Sequence, residues 1–189
     1  MTALPHESLT QAEFPAWEQR QEAKHEFIDG HVYLYGVYGF AGGTQAHNAL
    51  AMELAAKITP AVRPCRAYGS DMLIEMTRST RYADLVVTCD ERDHNPQSTV
   101  IRFPKLVIEV LSESTAKDDL GPKMREYQGI ETLQEYVMLD SVKRWAQVLH
   151  REAGQWALSA PITAGKLELR SIDMRIDLDE MYALAEVRV

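Results

Sequence analysis

A carboxylate lies inside an apolar segment of the chain, at Glu109 in KLVIEVL (residues 105–111). A second acid, Asp84, directly precedes the apolar run Leu85–Val87. Apolar runs of this length are typical of strands that are buried on both faces. An ionised carboxylate is costly there unless it has a partner, a metal ion or a raised pKa. These two acids are therefore the first candidates for chemistry.

The spacing of the two acids is compatible with a metal site. They are 25 positions apart (109 − 84), so two neighbouring strands could bring them to one end or one face of a sheet. Paired carboxylate oxygens suit Mg²⁺ or Mn²⁺. Such an ion lowers the pKa of bound water and offsets charge that builds on a phosphate oxygen. The pattern alone leaves a second explanation open, in which strand-end acids meet solvent or pair with arginine.

Lys123 is the third candidate, fourteen positions after Glu109 (123 − 109) in a predicted helix. A lysine near the ion could hold or help to deprotonate the attacking water, and could neutralise charge in the transition state. The alternative is a solvated helix lysine that pairs with Asp119 or Glu126.

Length and charge limit the class of protein. A chain of 189 residues favours a single domain, spanning 1–189, with a sizeable core. The net charge of −8 argues against coating nucleic acid by bulk charge. It does not argue against a local grip on a phosphodiester by a metal ion and a few basic side chains. No apolar run approaches the roughly 20 residues of a membrane span, so we expect no membrane partner.

The N-terminus and the cysteines predict the compartment. The first residues lack the basic-then-apolar order of a signal peptide, and we expect a cytoplasmic protein. Cys65 and Cys89 are too few for a disulfide framework and too far apart for a zinc knuckle. We therefore expect two reduced, buried thiols.

The elements that must position the candidates mix helical and strand patterns. Asp29-Gly30 predicts the turn of a hairpin, and Thr44 is expected to cap a helix that Pro60 ends. Further helices are predicted within 9–24, from Ser114 or Thr115 to Tyr127, and near the C-terminus; strands are predicted at 66–76, 81–89, 104–111, 135–140, 144–152 and 155–160, and a glycine-containing connection at 36–43. This order favours one α/β or mixed α+β domain.

Six segments, in this order, resemble the Uma2-type endonuclease family: HEFIDGHVYLYG, AHNALAMELAAKI, CRAYGSDMLIEM, RYADLVVTCD, KLVIEVLSEST and DDLGPKMREYQGIETLQEYVMLD. The resemblance covers roughly residues 24–150. It implies the fold of the PD-(D/E)XK nucleases: a restriction-endonuclease-like mixed β-sheet flanked by helices, here with an N-terminal helix and hairpin. It also implies phosphodiester hydrolysis with one or two divalent ions, Mg²⁺ or Mn²⁺.

The resemblance assigns a role to four residues. Asp84 resembles the aspartate of the PD element, and Glu109 resembles the acid of the (D/E)XK element. Lys123 resembles the lysine that this branch takes from the following helix, and Glu26 resembles an additional acid near such sites. The implied metal ligands are Asp84, Glu109 and Glu26, and the implied catalytic set adds Lys123. The implied partner is nucleic acid, with DNA preferred over RNA, and a homodimer is left open.

The chain departs from the wider superfamily at two positions. Ala83 replaces the proline of PD, and Leu111 occupies the place two after Glu109 where the superfamily has its lysine. Catalysis then depends on Lys123 reaching that space. Otherwise the chain is a nuclease-fold binding or assembly protein without turnover, and this alternative stays open.

Several other polar residues have competing interpretations. Asp71 matches a family acid or is a turn residue, and His47 makes a structural hydrogen bond or contacts a substrate phosphate. Arg78 and Arg81 flank the loop before Asp84, where they meet a nucleic-acid backbone or are ordinary exposed arginines. Ser112, Ser114 and Thr115 either donate to a phosphate from a helix N-terminus or, as we expect, act as helix caps. Tyr127 and Tyr136 are expected to be core or rim aromatics.

Overall fold

A computed structural model of the chain describes residues 9–35, 44–113 and 116–187. The predicted connection over 36–43 and the predicted helix start at Ser114 or Thr115 lie outside these residues. In chain order, the described helices and strands are α1 (Phe14–Glu18), β1 (His25–Ile28), β2 (His31–Leu34), α2 (Gln45–Ala61), β3 (Arg66–Gly69), β4 (Leu73–Glu75), β5 (Ser79–Tyr82), β6 (Leu85–Thr88), β7 (Val100–Ile101), β8 (Pro104–Leu111), α3 (Ala116–Asp119), α4 (Pro122–Gln128), β9 (Glu135–Asp140), β10 (Ala146–Glu152), β11 (Gln155–Leu158), β12 (Lys166–Leu169), β13 (Met174–Asp177) and α5 (Leu178–Leu184).

The strands form two large sheets and one small one. The six-stranded sheet has the order β11-β10-β9-β8-β6-β3, in which β8 and β9 are parallel and the other neighbours are antiparallel. The five-stranded sheet has the order β2-β1-β5-β4-β7, and β12 pairs with β13. The predicted mixed α/β architecture is therefore confirmed.

Strand β8 is buried on both faces, and its alternate residues contribute to two different cores. Leu106, Ile108 and Val110 belong to the core that also contains the apolar residues of α2 and α5. Val107 and Leu111 belong to the core on the other face, together with side chains from α4. Because side chains alternate along a strand, the carboxylate between them also faces α4. This apolar run with one acid is thus a strand that is buried on both faces and carries one polar position.

Two predicted strands are each divided between the large sheets. The segment 66–76 forms β3 and β4, and the segment 81–89 forms β5 and β6 with an interruption at Ala83-Asp84. The chain leaves the five-stranded sheet at β5 and enters the six-stranded sheet at β6. Asp84 therefore lies where the chain passes between the two sheets. β-Propensity continues across this point, which is why the sequence predicts a single strand.

Helices and turns agree with the sequence to different degrees. Asp29 and Gly30 both have positive φ (49° and 84°), as the predicted hairpin turn requires. Thr44 caps α2 by accepting the His47 N–H, and Pro60 is accommodated inside the last turn of that helix. The predicted helix that contains Lys123 is interrupted by Gly121 and forms the two short helices α3 and α4. The sequence did not predict the hairpin β12–β13.

The prediction of two free thiols is wrong, because Cys65 and Cys89 form a disulfide. β3 and β6 pair with Arg66 opposite Thr88, and this register continues to the two cysteines, whose Cα atoms are 4.2 Å apart. Structural disulfides are rare in cytosolic proteins. The cytoplasmic location therefore stays a prediction that this pairing does not support. Within the described ranges, no helix has both the length and the apolar content to cross a bilayer.

We expect the disulfide to stabilise the fold without affecting the chemistry. It closes a loop with a sequence separation of 24, and its loss is expected to lower the free energy of unfolding by about 2–4 kcal/mol. Urea unfolding with and without dithiothreitol measures this change. The Cys65→Ala/Cys89→Ala variant is the control, since its unfolding should not respond to the reductant. Equal midpoints for the oxidised and reduced wild type would contradict the prediction.

Candidate active site

The Glu109 carboxylate is buried against α4, with only 3% of the residue exposed. Its Oε1 accepts hydrogen bonds from Lys123 Nζ at 2.8 Å and from the Tyr127 hydroxyl at 3.1 Å. Burial raises the pKa of Glu109 well above its usual range. The Lys123 ammonium opposes this shift, whereas the negative charges of Asp119 and Asp84 add to it.

Lys123 binds two carboxylates at once. Its Nζ lies 2.8 Å from Glu109 Oε1 and 3.2 Å from Asp119 Oδ1. Burial lowers the pKa of Lys123, but the charges of Glu109 and Asp119 raise it by more. The pKa therefore lies well above the ordinary lysine value. Lys123 is therefore a protonated donor, which can orient a water or stabilise an anion but cannot accept a proton. The alternative pairing with Asp119 occurs together with the Glu109 contact, and the two do not exclude each other.

Asp84 lies beside Glu109, directly before the first residue of the neighbouring strand β6. Leu85 pairs with Ile108, and continuing this antiparallel register by one residue brings Asp84 opposite Glu109. The Oδ2 of Asp84 accepts the Val110 N–H at 2.7 Å, so this side chain binds the β8 backbone directly.

His47 orients the Asp84 carboxylate from α2. Its Nε2 lies 3.3 Å from Asp84 Oδ2. The hydrogen bond to Asp84 raises the pKa of His47, against the lowering effect of burial. Of the two interpretations of His47, this contact agrees with the structural hydrogen bond.

Two carboxylates suit a magnesium ion that keeps most of its own water. Among the residues that the structure describes, no three His, Cys, Asp or Glu side chains form a cluster able to hold a metal ion. Mg²⁺ is usually bound by one or two carboxylates together with waters and substrate phosphates, so it does not need a third protein ligand. The oxygen donors of Asp84, just before β6, and of Glu109, on β8, fit that requirement.

Glu26, the third predicted ligand, has other partners. Its Oε2 accepts from Arg81 Nε at 3.1 Å, and its Oε1 accepts the Tyr82 N–H at 3.3 Å. The assignment of Glu26 as a metal ligand stays a prediction, and the structure gives this acid a defined contact with Arg81.

Arg81 is not the exposed arginine that the sequence suggests. Its side chain is 2% exposed, and it pairs with Glu26, Asp118 and Glu126. Burial lowers the pKa of Arg81, but these carboxylates raise it more, so the guanidinium stays charged. Its three partners are 37 to 55 positions away in the sequence, so no local pattern could have revealed the cluster.

The site carries excess negative charge. Around Lys123 its described members are the acids Asp84, Glu109 and Asp119 and the base Lys123, which gives a formal charge of −2 (1 − 3) with His47 neutral. Buried carboxylates in such excess favour the binding of a cation.

The remaining candidates lie away from this cluster or have local partners. Asp71 pairs with Lys24 at 2.6 Å and is largely exposed, in agreement with the turn interpretation. Arg78 pairs with Asp29 at the surface. The Ser112 carbonyl accepts the Ala116 N–H, while Ser114 and Thr115 lie outside the described residues.

Comparison with known proteins agrees with the resemblance. A model of the Uma2 family, described as "Putative restriction endonuclease", matches residues 11–172. The chain belongs to the Uma2 family. Two uncharacterized proteins of Synechocystis sp. are among the similar curated proteins. The first, slr1290, is 32% identical over 185 residues, with 95% of this chain and 94% of that protein covered. The second, sll1609, is 31% identical over 160 residues, with 80% and 86% covered.

A solved structure supports the fold of this Uma2 protein. The crystal structure of a putative nuclease belonging to DUF820 from Anabaena variabilis superposes with a TM-score of 0.69 at 15% identity. The superposition covers 87% of this chain and 93% of the Anabaena chain. This Uma2 protein therefore shares its fold with that protein.

Proposed function

We propose that this Uma2 protein is a metal-dependent endonuclease that hydrolyses phosphodiester bonds in nucleic acid, with DNA as the first substrate to test. The observation that carries the proposal is the meeting of three groups. Asp84 directly precedes β6 and binds the β8 backbone next to Glu109, at Val110, and the Lys123 ammonium is 2.8 Å from Glu109. Family membership supports a nuclease-like activity.

The proposed roles follow from the charge and position of each side chain. Asp84 and Glu109 would hold Mg²⁺ or Mn²⁺, which supplies a water of lowered pKa and offsets charge on the phosphate. Lys123 donates to the attacking water or to a phosphate oxygen, since its raised pKa keeps it protonated. Tyr127 and Asp119 fix Glu109 and Lys123, and His47 fixes Asp84.

The position of Lys123 favours an active enzyme over a nuclease-fold protein that has lost its chemistry. Leu111 occupies the place of the superfamily lysine, and its side chain belongs to the apolar core on the α4 face. Lys123 approaches Glu109 from α4 on that same face. A buried ammonium held by two acids is costly to retain without a purpose.

A nuclease assay tests the proposal. Purified protein is incubated with plasmid, linear and single-stranded DNA and with RNA, in Mg²⁺, Mn²⁺ or EDTA. We expect cleavage of a polynucleotide that requires the ion and is lost in Asp84→Asn. Ion-independent cleavage, or equal cleavage by wild type and Asp84→Asn, would contradict the proposal. Mn²⁺ binding without cleavage of any polymer would favour the non-catalytic alternative.

We expect metal binding to strengthen as pH rises. Burial raises the pKa of Glu109, so its carboxylate form appears only above the ordinary glutamate value of about 4.3. As pH falls through that raised pKa, Glu109 takes a proton and Mn²⁺ affinity is lost. The raised pKa of His47 acts in the same direction, because protonated His47 pairs with Asp84.

Calorimetry with Mn²⁺ at several pH values measures this dependence. The His47→Gln variant removes the histidine contribution and should keep the part that comes from Glu109. A Kd for Mn²⁺ that does not change between about pH 5 and 9 would show that neither group controls the ion.

A further inference from the structure

Lys123 is carried by a segment that has little stability of its own. Helices α3 and α4 contain 4 and 7 residues and are joined at Gly121. Helices this short are marginal in isolation, so their positions depend on contacts with the rest of the fold. The buried residues of the two helices are Asp119, Lys123 and Tyr127, and these are mostly polar. Polar contacts must therefore contribute much of what fixes this segment on the sheet.

Arg81 contacts both helices. It pairs with Asp118 of α3 and, at 3.3 Å, with Glu126 of α4. Its third partner, Glu26 of β1, lies 3.1 Å from the guanidinium and belongs to the five-stranded sheet. Arg81 itself belongs to β5, the strand that leads into Asp84, so one buried cation connects the short helices to β1 and β5.

The partners of Arg81 are close in sequence to the residues of the site. Asp118 pairs with Arg81, while its neighbour Asp119 pairs with Lys123. Glu126 follows Lys123 by three positions, which is less than one helical turn. A shift of either helix along the sheet would break both sets of contacts together.

We infer that Arg81 is a positioning residue, which holds α3 and α4 so that Lys123 meets Glu109, and that Glu26 acts through Arg81. A guanidinium has five donors in a planar fork and can bind three carboxylates, whereas a lysine ammonium is a compact point charge. The catalytic consequence of this inference rests on the proposed function. The placement of Lys123 does not.

Chemical labelling of lysines tests the placement without any assay of cleavage. The variants are Asp118→Asn and Glu126→Gln, whose side chains are 29% and 26% exposed in the wild type, so both should fold. Glu131→Gln, at an exposed acid just after α4, is the matched control. Reductive methylation followed by peptide mass spectrometry compares Lys123, which is buried, with Lys117, which is exposed on α3.

We expect Lys123 to be methylated about tenfold faster in both variants. Each variant weakens a hydrogen bond between charged groups, so the segment that carries Lys123 should open locally more often. Lys117 should be labelled at the wild-type rate throughout, and Glu131→Gln should behave as wild type. Unchanged labelling of Lys123 in both variants would overturn the inference. So would equal acceleration at Lys123 and at the half-buried lysines Lys57 and Lys105, because Arg81 would then stabilise the whole fold.

Kinetics provide the second readout. If the wild type cleaves DNA, misplacing Lys123 should lower kcat by up to about 100-fold in both variants, with KM and the Kd for Mn²⁺ unchanged. A parallel loss of Mn²⁺ affinity would overturn the positioning role. If the wild type cleaves nothing, the proposed function fails, and the labelling result still decides whether Arg81 positions Lys123.

Discussion

Replacement of Lys123 by methionine is expected to lower the cleavage rate by about 10³-fold, the effect of losing a preorganised donor and its charge from a dry site. The ammonium lies 2.8 Å from Glu109 and its raised pKa keeps it protonated, so its contribution is electrostatic. Mn²⁺ should still bind at alkaline pH, because removal of a neighbouring positive charge favours a cation. Single-turnover cleavage and Mn²⁺ calorimetry on the same preparation measure the two effects.

Lys117→Met is the matched control for this result. Lys117 is exposed on α3, six positions before Lys123, and should affect cleavage little. Equal rates for Lys123→Met and the wild type would remove the lysine from the mechanism. Loss of Mn²⁺ binding in Lys123→Met at alkaline pH would instead show that the ammonium maintains the metal site.

Asp84→Asn and Glu109→Gln are each expected to weaken Mn²⁺ binding by roughly 100-fold or more, with cleavage lost in proportion. Both amides preserve the local hydrogen bonds. The asparagine oxygen can still accept the Val110 N–H, and the glutamine oxygen can still accept from Lys123 and Tyr127. The loss would therefore come from the missing charge and not from unfolding. Calorimetry and thermal unfolding separate these causes.

Asp71→Asn is the control for the acid variants, because Asp71 is an exposed acid paired with Lys24. It should bind Mn²⁺ like the wild type. If Asp71→Asn lost the ion while Asp84→Asn kept it, the metal site would have to lie at the other acid.

The sequence predicted the parts of the site that depend on strand pattern. A lone acid in a run buried on both faces indicates a polar contact on one face, and Glu109 has one with α4. The division of 81–89 between two sheets was not predictable, because strand propensity continues through Ala83-Asp84. That division is what places Asp84 directly before the start of β6.

Contacts between distant segments account for the rest of what the sequence did not show. The burial of Arg81 depends on carboxylates from β1, α3 and α4, and an arginine in a strand gives no local sign of them. The disulfide likewise depends on the pairing of β3 with β6, which brings Cys65 and Cys89 together. The sequence did not show that these two strands are neighbours. Local pattern fixes which face a residue occupies, while tertiary pairing decides its partner.

A crystal of the protein soaked in Mn²⁺, with anomalous diffraction data, tests the central claim most directly. We predict one strong anomalous peak between the carboxylates of Asp84 and Glu109, with oxygen ligands from both and with the Lys123 ammonium nearby. A peak only at other acids, or none between these two at a concentration where calorimetry shows saturation, would contradict the assignment of this cluster as a metal-dependent active site.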